Sequence, residues 1–152
     1  MATPAGRQYR VLLVDDNPNL LQLMLHSFHL LGNYEVITAE NGIEGLERVQ
    51  EAHPDCIVID VKMPGLNGHQ LVRALRGDPS TTHIPLIMLT AMAQEKDRYE
   101  GLASGADRYL VKPVKPSALV TVIQEAIRIS EEERAREYQS LAEAPPPELS
   151  DE

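Results

Sequence analysis

The sequence predicts an α/β fold: a doubly wound, five-stranded parallel sheet with five helices on its two faces. Three observations carry this. Short apolar runs recur with no polar residue inside them, as strands buried on both faces require. Segments with helical spacing separate the runs. The runs end in carboxylate, hydroxyl or amine side chains, which is where an open α/β sheet places its ligand.

The elements follow in order. Tyr9–Val14 is the first strand and runs into Asp15 and Asp16. Asn17 and Pro18 are an N-cap and a proline at the first helical position, opening a helix over Pro18–Leu31. Leu20, Leu21, Met24, Phe28 and Leu31 give that helix its apolar stripe, and Gly32 ends it. Tyr34–Thr38 is the second strand and Gly42–Glu51 the second helix. Cys56–Ile59, the third strand, runs into Asp60, and Gly68–Arg76 is the third helix. Pro85–Leu89 runs into Thr90. The fourth helix is expected over Gln94–Ser104, closed by Gly105. It is crowded with charge and has only Tyr99, Leu102 and Ala103 to bury, so it is weakly held and a candidate moving part. Arg108–Val111 is the fifth strand and runs into Lys112 and Pro113. Pro116 opens the fifth helix, whose core face is Leu119, Val122, Ile123, Ala126 and Ile127. Such βα units fit a flavodoxin-like sheet or part of a Rossmann domain.

Composition bounds the function. Of 152 residues 43% are apolar, with no Trp and one Phe, so one aliphatic core is expected over residues 8–130. Residues 1–7 read as a flexible N-terminus with no apolar leader. No run approaches a membrane span, and Cys56 is alone, which favours the cytoplasm. The net charge is -9, and residues 131–152 hold eight acids against two arginines. No basic cluster suggests a nucleic-acid footprint, and an acidic chain repels nucleic acid and anionic lipid. Residues 131–144 read as an acidic extension of the last helix, with Arg134 and Arg136 forming ion pairs to Glu131, Glu132 and Glu133. Residues 145–152, opened by three prolines, read as a disordered tail.

The strand ends carry the chemistry. Asp60 alone is an ordinary turn former. Asp15 and Asp16 alone are an ordinary cap pair. Together, three carboxylates at one edge cannot all ionise cheaply without a cation. Carboxylates plus water suit Mg²⁺, which bridges readily to phosphate. Lys112 adds an ammonium that pairs with a carboxylate or a phosphoryl oxygen, and Thr90 adds a hydroxyl.

The set Val14-Asp15-Asp16-Asn17, Ile59-Asp60-Val61-Lys62-Met63-Pro64-Gly65, Leu89-Thr90-Ala91 and Gly105 through Pro113 resembles the receiver domain of two-component response regulators over roughly residues 8–130. The resemblance implies a flavodoxin-like sheet in the order 2-1-3-4-5. It implies that Asp60 accepts a phosphoryl group from a phosphohistidine of a sensor histidine kinase or phosphotransfer protein. Asp15, Asp16, Asp60 and the backbone carbonyl of Lys62 would hold Mg²⁺, with Asp15 acting mainly through water. Thr90 and Lys112 would contact the phosphoryl oxygens, and the bond before Pro113 would be cis. Thr90 and Tyr109 would form the switch, repacking the fourth helix, fifth strand and fifth helix to change binding of a downstream protein target. Lys62 and Met92 would flank the attacking water, and a phosphoryl lifetime of minutes or longer is expected.

The expected function is thus a phosphorylation-switched signalling module rather than an enzyme acting on metabolites, with no separate output domain in this chain. The competing reading is a Mg²⁺-dependent small-molecule phosphohydrolase working through an aspartyl phosphate. It wants a second acid two residues after the nucleophile, where this chain has Lys62. A flavin carrier is disfavoured because Asp15 and Asp16 would repel a phosphate. The acidic extension leaves a homodimer contact, a linker and an inert tail open.

Overall fold

The computed structural model describes residues 8–32, 34–91 and 105–143. Its elements are β1 (Tyr9–Val14), α1 (Pro18–Leu31), β2 (Tyr34–Ala39), α2 (Gly42–Ala52), β3 (Cys56–Asp60), α3 (Gly68–Gly77), β4 (Leu86–Thr90), β5 (Arg108–Val111) and α4 (Pro116–Glu143). The strands pair in parallel in the order β2-β1-β3-β4-β5, which decides for the flavodoxin-like arrangement over the Rossmann one. Four helices stand among the described residues. The helix expected over Gln94–Ser104 lies outside them, as do Met92, residues 1–7 and residues 144–152. No described helix is long and apolar enough to cross a membrane.

Alternation along each strand sends side chains to opposite faces, and both faces are covered. Val11, Leu13, Val58, Ile87 and Leu89 pack with Leu21, Met24 and Phe28 of α1 and Leu119, Ile123 and Ile127 of α4. Leu12, Val14, Ile57, Ile59, Leu86 and Met88 pack with Val49 of α2 and Leu71, Val72 and Leu75 of α3. Burial on two sides is why the strands read as unbroken apolar runs. Cys56 is fully buried and acts as a small hydrophobe, its thiol pushed well up by burial.

Local chemistry sets the boundaries. The Asn17 side chain accepts hydrogen bonds from the amides of Asn19 (3.1 Å) and Leu20 (3.3 Å) and starts α1. Gly32 donates to the Phe28 carbonyl but is extended (φ -172°), so no left-handed cap ends this helix. Glycine is needed there for room, since a Cβ would meet the Tyr34 ring at 2.8 Å. The apolar stripe of α1 is shorter than expected. Leu31 is exposed, and the ring of Tyr34, tilted against Phe28 at 6.2 Å, covers that end of the core instead. Gly105, by contrast, does use the left-handed region (φ 104°).

The long α4 is tied to the amino-terminal edge of the sheet at residues 130 and 131. The Tyr9 hydroxyl donates to Glu131 (3.0 Å), and the Ser130 hydroxyl donates to the His83 carbonyl (3.3 Å). The ion pairs expected of Arg134 and Arg136 do not form. Glu132 is taken by Arg128 at 3.0 Å, Arg136 reaches only the Glu132 carbonyl, and Arg134 lies against the loops below the sheet. Beyond Arg134 the helix is exposed, with Tyr138 at 75%.

Phe28 has no exposed surface and bridges α1, β2 and the sheet. Phe28→Ala should cost about 3–5 kcal/mol, whereas Leu31→Ala should cost less than about 1 kcal/mol. Urea unfolding of both variants checks this.

Candidate functional site

The carboxyl ends of β1, β3, β4 and β5 converge because each strand continues its ladder up to the polar residue. The Asp15 amide donates to the Ala39 carbonyl (3.0 Å), extending the β1–β2 pairing. Asp60 is the last residue of β3, in register with Leu89, and Thr90 is the last of β4, in register with Val111. The Lys112 amide then donates to the Thr90 carbonyl at 2.6 Å. Three of the four side chains are therefore held close to the sheet: Asp15 is 5% exposed, Asp60 7% and Thr90 1%. Asp16 stands exposed at the mouth.

The ammonium of Lys112 joins the cluster. Its Nζ lies 3.0 Å from Asp15 Oδ2 and 3.2 Å from Asp60 Oδ1. Oxygens of Asp15, Asp16 and Asp60 all lie within 4.8 Å of one another, close enough to share one metal ion. Asp15 is fixed from its other oxygen, which accepts the Asn17 amide at 2.9 Å. The Lys112–Pro113 peptide is cis.

The electrostatics follow from this crowding. Burial first, and then the charge of Asp15, push the Asp60 carboxyl above its ordinary value, against the pull of Lys112. Burial would lower the Lys112 ammonium, but its hydrogen bonds and charge contacts with Asp15 and Asp60 outweigh that and hold it above its ordinary value. The donor set is all carboxylate oxygen, which is the chemistry of a hard divalent cation.

The loop after Asp60 is shaped by close contact. The Gly68 amide donates to the Val61 carbonyl (3.0 Å), and a Cβ at position 68 would collide with the Asp60 carbonyl oxygen. Asn67 and Gln70 then form a reciprocal cap that opens α3. Lys62 is exposed and lines an open cavity of about 430 Å³ with Asp16, Met63 and His69. Tyr109 is half-buried and in register with Met88. Thr90 lies two residues after Met88, so Thr90 and Tyr109 share the α2–α3 face of the sheet.

Sequence reasoning missed an apolar hollow of about 370 Å³ beside Lys112, lined by Leu20, Leu23, Met24, Leu89, Pro113 and Val114. The signal was present: Leu23 lies off the buried stripe of α1, and such a residue stays exposed unless something covers it.

The family model of the response regulator receiver domain matches residues 11–124. The chain belongs to the response regulator receiver family. Protein PilH of Pseudomonas aeruginosa is 39% identical over 114 residues, covering 75% of this chain and 93% of PilH. Several other curated relatives are longer, and the chain spans about half the length of those it matches first. Among solved structures, the chemotaxis response regulator CheY4 of Vibrio cholerae superposes with a TM-score of 0.74 at 37% identity, covering 79% of this chain and 99% of that one. The receiver domain of the sensor histidine kinase PA1611 of Pseudomonas aeruginosa superposes with a TM-score of 0.73 at 31% identity, covering 80% and 98%. Its structure carries a magnesium ion coordinated in the active-site cleft. This receiver is thus a signalling module of the two-component type.

The raised Asp60 carboxyl has a measurable consequence. The folded receiver binds more protons than the unfolded chain from the ordinary carboxyl value of 3.8 up to the raised one, so stability falls as pH rises through that window. In metal-free buffer Asp60→Asn should melt higher than wild type at neutral pH and lose this slope. Thermal unfolding in EDTA between about pH 4 and 7 tests both.

Proposed function

We propose that this receiver takes a phosphoryl group onto Asp60 from a phosphohistidine of a sensor kinase or phosphotransfer protein, and that the charge gained changes which protein it binds. One observation carries the reading. A single ammonium, Lys112, stands within hydrogen-bond reach of Asp15 and Asp60, with Asp16 completing a trio of carboxylates around the same point.

The roles follow from position. Asp60 is the nucleophile: its oxygen bonds to phosphorus as the phosphorus–nitrogen bond of the donor breaks, and the electron pair stays with the imidazole. Asp15, Asp16, Asp60 and the Lys62 carbonyl would hold Mg²⁺, which supplies charge neutralisation at the phosphoryl oxygens and permits close approach to a carboxylate cluster. Lys112 neutralises an oxygen of the incoming group, which it reaches without leaving Asp15. Thr90 offers its hydroxyl from the last position of a buried strand. The lack of a second acid at Lys62, together with the family match, weighs against a metabolite phosphohydrolase.

The same geometry supports a switch. A phosphoryl group brings about -1.5 to -2 of charge and three acceptor oxygens to a site where Lys112 already serves Asp15 and Asp60. Thr90 and Tyr109 share a face of the sheet two register positions apart, so drawing in Thr90 opens space on the side where Tyr109 packs. The face that Tyr109 repacks would then be the one read by the downstream protein. A cytoplasmic location fits a module that meets a kinase and a soluble target.

Incubation with Mg²⁺ and acetyl phosphate should add one phosphoryl group by intact mass, and Asp60→Asn should add none. Lys112→Ala should slow the uptake by about 10²-fold or more, the scale of losing one preorganised electrostatic contact. Uptake undiminished in Asp60→Asn would sink the proposal. Tyr109→Ala should still take up phosphate but lose the change in β5 amide hydrogen exchange that wild type shows on phosphorylation.

A further inference from the structure

A second polar cavity, of about 570 Å³, opens at the amino-terminal edge of the sheet, the end opposite Asp60. It lies between the starts of β4 and β5 and the extension of α4, and its size suits a small organic molecule. Three guanidinium groups and an imidazole line it: Arg76, Arg108, Arg134 and His83. The neighbouring acids are Asp107, Glu133 and Glu137, and only the first is engaged with an arginine here.

Two of the arginines are committed. Arg76 spends all three guanidinium nitrogens on the fold. It donates to the carbonyls of Gly105 (2.9 Å), Thr82 (2.8 Å) and Ile84 (2.7 Å) and to the carboxylate of Asp107 (2.7 Å). Arg108 makes a loose pair with Glu125 at 3.5 Å. Arg134 differs. It lines both this cavity and an adjoining one of about 160 Å³ that Asp55 and Thr81 also line, and its Nε is buried with no hydrogen-bond partner. Among the described residues no ion pair reaches it. Glu131, one turn back, is occupied by Tyr9.

Arg134 thus brings a guanidinium without an ion-pair partner to the wall of the cavity, and an oxyanion docking on that group from the cavity supplies the charge it lacks. Two further cues sit on the same wall. The Ser130 hydroxyl is spent only on a long 3.3 Å contact, and His83 is held below its ordinary value by burial and then by the charges of Arg134 and Arg76. We infer that the cavity at the amino-terminal edge is a binding site for a small phosphate or carboxylate oxyanion, with Arg134 as its principal contact and Arg108 and Ser130 beside it. Such a ligand would tie the extension of α4 to the start of β5. It would act at a place with no part in the phosphoacceptor chemistry.

The test is calorimetric titration of the full chain with pyrophosphate, adenosine monophosphate and citrate, each in EDTA at fixed ionic strength. The three probes separate phosphate recognition, phosphate ester recognition and carboxylate recognition. Wild type should bind at least one of them one to one with a Kd of about 1 mM or tighter. Arg134→Gln should weaken it about tenfold or more, whereas Arg136→Gln, an equal loss of charge two residues away, should leave it unchanged. Asp60→Asn should also leave it unchanged, which separates this site from the phosphoacceptor cluster. Circular dichroism establishes that each variant is folded. No binding of any probe up to about 10 mM would overturn the inference. So would equal loss in Arg134→Gln and Arg136→Gln, or loss in Asp60→Asn.

Discussion

Asp15, Asp16 and Asp60 bring three carboxylates within 4.8 Å of one another, and that density of charge holds together because Lys112 stands between two of them. At an effective dielectric of about 20, two like charges some 4 Å apart repel by roughly 4 kcal/mol, a large share of the stability of an ordinary domain. One ammonium that touches both buried members offsets part of this. The rest of the architecture can be seen as the means of delivering that ammonium. Lys112 comes from an edge strand, two strands away from Asp60 and three from Asp15, and it arrives because β4 and β5 pair in parallel as far as Thr90 and Val111.

The sheet also explains the rigidity of the cluster. Asp60 and Thr90 are the last rungs of their strands, not loop residues, so their backbones are held by the ladder to the next strand, Asp60 opposite Leu89 and Thr90 opposite Val111. Asp15 gains the same support one residue beyond β1, through its amide bond to Ala39. Gly68 lets α3 start directly under Asp60, where any side chain would collide with the carbonyl. Sites held on regular elements keep their geometry better than sites on loops, and this one uses strand ends for three of its four buried or half-buried members.

Much of this was legible in the sequence, and the reasons are specific. Val11–Val14, Cys56–Ile59 and Leu86–Leu89 read as strands because burial on both faces leaves no polar position to confuse the pattern. The polar residue that ends each run was visible for the same reason. The strand order was not in the residues, since five βα units admit more than one arrangement, and it came from the resemblance. Side chains that act across long sequence distances were also hidden. Arg76 caps carbonyls at positions 82, 84 and 105, a role with no local signature in a helix that otherwise looks like any exposed one. The neighbours of Arg134 suggest helix glutamates as its partners, but two of these, Glu132 and Glu131, are claimed by Arg128 and Tyr9, which a helical wheel cannot see.

Charge balance argues that the two ends of the sheet have different jobs. On the proposed function, a phosphoryl group added at the carboxyl edge would be met by a metal ion and by Lys112 shifting its share away from Asp60. That shift would pass along what Lys112 is attached to, namely the end of β5 and, through its amide, the Thr90 carbonyl. At the amino edge Arg76 makes four bonds to two chain segments, and its hold on Gly105 and Asp107 anchors the entrance to β5. A strand fixed at its start and loaded at its end can move only near the load. On the proposed function, the face carrying Thr90 and Tyr109 is therefore where a change in charge would become a change in shape, while the packing around Arg76 would stay as it is.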